Sequence, residues 1–282
     1  MMMTTSDGVQ PRGRGPTRIL CLHGGGSNND ISRMHVAHLE LERYHGAQCD
    51  YLQADVVVPP ENPSLRQHST GPFFSWIDPR DPFDATRVLQ SLRAVEAFAE
   101  THGPYDGLFG FSMGGTLVSM LSHEFVWRGL LKRDAPLSRF ALVANAGGVD
   151  MMWRGEALAE AARLEGSATP AYDTFKARDA GSVRVPSFHM TGARDWIRYD
   201  GLRLLRVYRS ATHYEHEFGH ALPLRLARDA RLRDILGEFL AEHAERIRPI
   251  DIMPTSPLED PLPTPLKERA PPPHWRRAFD WR

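Results

Sequence analysis

The sequence predicts an α/β protein with a mostly parallel, doubly wound sheet. Short apolar runs of strand length alternate with longer stretches of helical periodicity along most of the chain. Several of these runs end directly at glycine-rich turns, which is typical of buried strands that stop at a sheet edge. Strands that alternate with helices form parallel crossover units, so we expect helices on both faces of the sheet.

The elements follow from apolar patterning and from capping and breaking residues. Six strands are predicted, at residues 18–22, 51–58, 106–109, 140–144, 183–190 and 207–218. The predicted helices are residues 31–43, capped by Asn29 or Asp30, a helix opened by Asp84 or Thr86, residues 113–125 and residues 222–246.

The chain is predicted to have one folded domain and two tails. Residues 1–16 are polar and rich in Gly, Pro and Arg, which predicts a disordered arm. Residues 17–248 form the domain, and helical stretches within residues 149–181 interrupt its β/α alternation as a lid-like insertion. Residues 249–282 hold nine of the 22 prolines, which predicts a disordered or polyproline-like tail.

Composition excludes several classes of function. The net charge is −1 with no basic cluster, so no nucleic-acid partner is expected. No apolar run approaches the ~20 residues of a membrane span, and the first residues lack the apolar region of a secretory signal. Only two cysteines occur, which favours a reducing, cytoplasmic setting without disulfides.

A G-x-S-x-G pattern centres on Ser112, between Gly110 and Gly114. The pattern alone is weak, because small residues in a structural turn also produce it. Here a predicted strand ends just before it and a predicted helix begins just after it. This context favours a nucleophilic serine on a turn so tight that neighbouring side chains would collide.

A serine nucleophile needs a carboxylate and a histidine, which follow it in that order in this type of site. Asp195 lies just past the predicted strand 183–190, where parallel sheets build sites, and Asp200 is the alternative acid. His220 follows strand 207–218, whereas the alternatives His213 and His216 lie within it. We therefore expect Asp195 and His220 to serve Ser112.

The sequence does not favour a metal site or a nucleotide site. The His213–His216 stretch is one residue short of a zinc-binding H-x-x-E-H pattern, so no metal is expected. The glycines at 24–26 lack the spacing of a dinucleotide or phosphate loop. These glycines instead suit an oxyanion hole, with backbone N–H donors from Met113 and Gly25; Gly24 and Gly26 are alternatives to Gly25.

The long loop at residues 59–83 contains the aromatic segment GPFFSW. Phe73, Phe74 and Trp76 are predicted to line the substrate pocket. The alternative is that they anchor the loop to the core.

Together, five segments resemble the fungal serine hydrolase family of α/β-hydrolases. They are residues 19–24 (ILCLHG), 71–76 (GPFFSW), 105–115 (YDGLFGFSMGG), 186–195 (PSFHMTGARD) and 216–223 (HEFGHALP). The resemblance covers about residues 17–247. It departs from the family at Gly25, where many relatives have a bulky residue, and in the tail after residue 248.

The resemblance implies an α/β-hydrolase fold and a cofactor-free esterase or thioesterase with Ser112, Asp195 and His220 as its triad. It implies a small-molecule acyl ester or thioester substrate, including a carrier-bound polyketide in fungal secondary metabolism. The sequence does not distinguish ester hydrolysis from C–C bond hydrolysis or lactone formation, which use the same triad. A non-catalytic ligand-binding or scaffold role is the other class, and retention of all three residues argues against it.

Overall fold

The computed structural model describes residues 16–81, 84–147, 181–223 and 228–244. The chain divides into two compact units, Met1–Glu245 and Arg246–Arg282, and all described residues lie in the first. The tail, all but the last residue of the lid-like insertion and all but the last residue of the arm lie outside the described residues. These three assignments therefore stay predictions.

Eight strands are present in the described part of the chain. Six form a parallel sheet, namely β1 (Arg18–Leu22), β2 (Gln48–Leu52), β5 (Gly107–Phe111), β6 (Phe140–Ala144), β7 (Ser187–Gly192) and β8 (Ala211–His216). The short strands β3 (Val56–Val58) and β4 (Phe73–Ser75) form a separate antiparallel pair. The order across the large sheet is β2-β1-β5-β6-β7-β8, which confirms the predicted parallel α/β class.

The α-helices of the described residues are α1 (Asn29–His38), α2 (Leu41–His45), α3 (Ala85–His102), α4 (Met113–Ser122), α5 (Arg198–Val207) and α6 (Ala230–Ala244). A 3₁₀ turn spans Pro63–Gln67 and a π-helical turn spans Phe125–Leu130.

The two faces of the sheet have separate apolar cores, because successive strand residues point to opposite sides. Leu20 and Leu22 of β1 pack on one side with apolar residues of α3, α4 and α5. Ile19 and Cys21 pack on the other side with residues of α1, α2 and α6. The sheet is thus covered by helices on both faces, which confirms the doubly wound arrangement.

The strand order places the crevice of the fold between β1 and β5. From β1 the chain passes to β2 at one edge, and it later returns to the other side of β1 to form β5. Open parallel sheets bind ligands at such a reversal, beyond the carboxyl ends of the strands. The glycine loop after β1 and the serine turn after β5 therefore meet at this point.

Several element bounds differ from the predictions for local reasons. The predicted strand 51–58 is divided between β2 and β3, because the chain turns away where the Ala54 N–H donates to the His23 ring. The predicted strand 207–218 includes the end of α5, and only Ala211–His216 is a strand. The first helix is capped by the Asn28 side chain, which accepts from the Ile31 N–H at 3.1 Å, so both predicted caps were wrong.

The predicted cap Asp84 is confirmed, since its carboxylate accepts from the N–H groups of Thr86 and Arg87. No helix among the described residues is both long enough and apolar enough to cross a membrane.

Candidate active site

Ser112 lies on a sharp turn between β5 and α4. Its φ of 52° is a left-handed conformation that non-glycine residues rarely adopt, and such strain is common at functional sites. Hydrogen bonds at both the N–H and the carbonyl of Ser112 stabilise the turn. The Ser112 N–H donates to the Ala144 carbonyl at 2.9 Å, and the Ser112 carbonyl accepts from the Thr116 N–H at 3.1 Å.

The two glycines of the G-x-S-x-G pattern are required by close backbone contacts. A Cβ atom at Gly110 would lie 2.3 Å from the Gly114 carbonyl oxygen. A Cβ at Gly114 would lie 2.3 Å from the Leu22 carbonyl oxygen of β1. Any side chain at either position would therefore force α4 away from the strands, which explains why the turn needs both glycines.

The structure brings Ser112, His220 and Asp195 into one hydrogen-bonded chain. The distance from His220 Nε2 to Ser112 Oγ is 3.0 Å. The distance from His220 Nδ1 to Asp195 Oδ2 is 2.9 Å, and the Asp195 side chain is almost fully buried. Asp195 is further fixed by the Ile197 N–H, which donates to its Oδ1 at 3.0 Å. A neutral imidazole in this position donates from Nδ1 and accepts at Nε2.

The alternative acid and bases, Asp200, His213 and His216, lie elsewhere. Asp200 is in the first turn of α5, 3.8 Å from the Arg203 guanidinium. The ring of His213 contacts the Thr191 hydroxyl. The buried ring of His216 has no hydrogen-bond partner at either nitrogen among the described residues. No three His, Cys, Asp or Glu side chains are arranged to hold a metal ion in the parts of the chain that the structure covers.

The surroundings of His220 favour its protonated form. Burial alone would lower its pKa, but the hydrogen bond to Asp195 and the negative charges of Glu61 and Asp195 outweigh it. The pKa of His220 is consequently raised above its usual value. The rings of Phe111 and Trp196 lie at centroid distances of 5.1 and 5.5 Å from the imidazole, which restricts its orientation.

The glycine loop after β1 passes directly over Ser112. A Cβ atom at Gly24 would lie 3.2 Å from the Ser112 Cβ. His23 Nε2 accepts from the Ala54 N–H at 3.1 Å, so its proton is on Nδ1, which donates to the Gly24 carbonyl at 2.7 Å. Burial lowers the pKa of His23 to about 4, so the ring is neutral at physiological pH.

The bond from His23 determines the direction of the next amide. In a trans peptide the carbonyl and the following N–H point to opposite sides. Because the Gly24 carbonyl is turned towards His23, the Gly25 N–H points away from that ring. The Met113 N–H is the second candidate donor, since it belongs to the first turn of α4 and has no partner within the helix.

The aromatic segment of the long loop supports the glycine loop. Trp76 is only 1% exposed, and its indole N–H donates to the His23 carbonyl at 2.7 Å. Phe73 is also buried, whereas Phe74 is partly exposed and pairs through its backbone with Ser27. Burial thus favours the anchoring alternative for Trp76 and Phe73, and the predicted substrate contact of Phe74 stays a prediction.

Asn145 connects the acid and base loops and was not found from the sequence. It directly follows β6, is buried and has a left-handed φ of 45°. Its side-chain oxygen accepts from the Gly192 N–H at 2.8 Å, and its amide NH₂ donates to the Ala221 carbonyl. Gly192 leads to Asp195, and Ala221 follows His220. Its only sequence signal was its position at the end of a strand.

Glu61 is the second residue that sequence reasoning missed. Its carboxylate lies 3.9 Å from His220 Nε2, on the side that faces Ser112. Its N–H donates to the Gly26 carbonyl at 3.0 Å. Gly26 has a φ of 57°, and a Cβ there would lie 2.3 Å from the Glu61 nitrogen. Only glycine at this position therefore lets the Glu61 backbone pack against the loop.

Comparisons with known proteins identify a family of serine hydrolases. The family described as Serine hydrolase (FSH1) matches residues 14–229. "Hydrolase phiM" of a fungal species is 27% identical over 214 residues, which cover 73% of this chain and 86% of that protein. "Esterase tropF" of Talaromyces stipitatus is 30% identical over 206 residues, which cover 63% and 66% of the two chains.

Among solved structures, Est1E from Butyrivibrio proteoclasticus has a TM-score of 0.49 and 13% identity, covering 82% of this chain and 89% of that one. The family match extends over most of the sequence. The chain therefore belongs to the serine hydrolase (FSH1) family of α/β-hydrolases.

Proposed function

We propose that the protein hydrolyses a carboxylic ester or thioester through an acyl-enzyme on Ser112. The observation that carries this proposal is the hydrogen-bonded chain from Ser112 Oγ through His220 to Asp195. This arrangement of nucleophile, base and orienting carboxylate is the one that activates a serine hydroxyl.

In the first half of the reaction, Ser112 Oγ attacks the acyl carbon while His220 Nε2 takes its proton. Asp195 holds the imidazole in the required tautomer and stabilises the imidazolium. His220 then returns the proton to the leaving oxygen or sulfur. Water attacks the acyl-enzyme in the second half, with the same nitrogen as base. None of these steps draws on a metal or an organic cofactor.

The N–H groups of Gly25 and Met113 are the proposed donors to the oxyanion. The orientation that His23 imposes on the Gly24–Gly25 peptide supports the first, and the free helix N-terminus behind Ser112 supports the second. The carbonyls of Gly24 and Gly26 accept hydrogen bonds from His23 and Glu61. These contacts leave the N–H groups of Gly24 and Gly26 as the alternative donors.

The substrate is proposed to be a small-molecule acyl ester or thioester, since curated relatives carry the name esterase. The narrower role is release or trimming of a polyketide chain, including one bound to a carrier protein, in fungal secondary metabolism. Resemblance to the family supports this role, and Phe74 is the one of the three predicted aromatic contacts that is partly exposed. Products from acyl thioesters of graded length will define the acyl preference.

Ser112→Ala is expected to abolish both covalent labelling by a fluorophosphonate probe and turnover of a short-chain nitrophenyl ester. The loss in kcat should exceed about 1,000-fold, because no other group replaces the nucleophile. In-gel fluorescence and absorbance assays measure the two effects. Ser64→Ala, on the exposed 3₁₀ turn, is the matched control. Labelling that persists in the Ser112 variant would remove the serine from its proposed role.

The value of kcat/KM is expected to fall as the pH is lowered through the pKa of His220. Only the neutral imidazole accepts the serine proton, and this pKa is raised, so the midpoint should lie above the usual value of about 6.5. A pH–rate profile and the pH dependence of probe labelling should give the same midpoint. A profile that is flat from about pH 5 to 8 would be incompatible with His220 as the base.

Asn145→Asp is expected to lower kcat about 10- to 100-fold with little change in KM, because small errors in the placement of catalytic groups are costly. The variant keeps the oxygen that accepts from Gly192 but replaces the donor to Ala221 with a second acceptor. Asn62→Asp, an exposed cap at which either residue accepts from Ser64, is the control. Unchanged kcat in a folded Asn145→Asp protein would show that the link does not position His220.

A further inference from the structure

We propose that Glu61 binds and orients the water that hydrolyses the acyl-enzyme. This inference rests on the proposed role of Ser112 and concerns the second half of its reaction. The carboxylate of Glu61 lies 3.9 Å from His220 Nε2, the same nitrogen that lies 3.0 Å from Ser112 Oγ. Glu61 therefore lies beside the nitrogen that has to deprotonate the attacking water.

The distance between Glu61 and His220 suits a water molecule between them. A separation of 3.9 Å is too long for a direct hydrogen bond. It fits one bridging water, because two hydrogen bonds of about 2.8 Å that meet at about 90° span this distance. The water would place one hydrogen on His220 Nε2 and the other on Glu61 Oε1, which leaves its lone pair for the acyl carbon.

The carboxylate has an unused capacity to accept hydrogen bonds. Within the described residues no donor is hydrogen-bonded to it, and its side chain is 33% exposed, so solvent reaches it. Among the residues that the structure describes, the charged groups that act on it are His220 and Asp195, with no lysine or arginine. Burial raises its pKa, which marks a carboxylate with few partners of its own.

The position of Glu61 is set by the same loop that is proposed to hold the oxyanion. Its N–H donates to the Gly26 carbonyl, and the left-handed Gly26 leaves space for the Glu61 backbone that a side chain would fill. The Glu61 backbone is thus fixed next to the glycine loop, and its carboxylate lies within 3.9 Å of His220 Nε2. A residue held this way can orient water at little entropic cost when the acyl-enzyme forms.

The step balances without any further reactant. The water oxygen forms a bond to the acyl carbon, and its proton passes to His220 Nε2 while Glu61 accepts a hydrogen bond from the second O–H. The tetrahedral intermediate then breaks its bond to Ser112 Oγ, which recovers the proton from His220. The carboxylic acid product leaves with the oxygen of the water.

The test separates acylation from deacylation in Glu61→Gln and Glu61→Met. Stopped-flow measurements with a nitrophenyl ester give the burst rate for acylation and the steady-state rate for deacylation. They are made on the alkaline plateau of the pH profile, so that a changed pKa of His220 does not contribute. Glu238→Gln, an exposed residue on α6, removes the same charge outside the site and serves as control.

We expect deacylation to slow about 10- to 100-fold in Glu61→Met, and less in Glu61→Gln, which keeps an acceptor oxygen. The burst rate should stay within about threefold of the parent protein, because acylation needs no water. Added hydroxylamine, which attacks the acyl-enzyme itself and yields a hydroxamate, should restore turnover. A purely structural defect would not be rescued in this way.

Two results would overturn the inference. One is an equal loss in the burst and steady-state rates, which would assign Glu61 to general support of the site. The other is no change in either rate. Failure of the proposed function is recognised by a separate result. A burst that persists in Ser112→Ala would show that the acyl group is not carried by Ser112, independently of the role of Glu61.

Discussion

The hydrogen bond between His220 Nδ1 and Asp195 Oδ2 is the interaction on which the rest of the site depends. It fixes which ring nitrogen carries the proton and so turns an accepting Nε2 towards Ser112. The partners are on different loops, each beyond the carboxyl end of a parallel strand. The fold therefore has to hold the two loops at a fixed separation, so that this bond of 2.9 Å can form.

Residues at the end of β6 hold the two loops in place. Ala144 accepts from the Ser112 N–H, and the next residue, Asn145, hydrogen-bonds to both the acid and the base loops. Two consecutive residues thus connect all three proposed catalytic side chains. In the glycine loop, His23 hydrogen-bonds to the Gly24 carbonyl, and the Trp76 indole N–H donates to the His23 carbonyl. The nucleophile lies between these two supports, which explains how its strained turn is maintained.

The sequence was sufficient for features that local patterns encode. The parallel class followed from alternating strands and helices. The placement of Ser112, Asp195 and His220 near one another followed from their positions after strands, which parallel topology brings to one edge. Gly110 and Gly114 are explained by contacts made within their own turn and to β1. The family match agrees with this local information, because its range includes the same segments.

What the sequence could not supply depends on contacts between distant residues. Asn145 resembles an ordinary turn residue until its partners at 192 and 221 are known. Glu61 resembles a solvated charge in a proline-rich loop until Gly26 is seen to hold it beside His220. The division of residues 51–58 between two sheets likewise follows from the bond between Ala54 and His23.

The most direct measurement is the location of the acyl group during turnover. The parent protein is quenched with acid while it hydrolyses a nitrophenyl ester, digested, and mapped by mass spectrometry. The structure predicts an added acyl mass on the peptide that contains Ser112, and none after complete hydrolysis. An acyl group on another residue, or full activity without any acyl adduct under conditions in which deacylation limits the rate, would contradict this account.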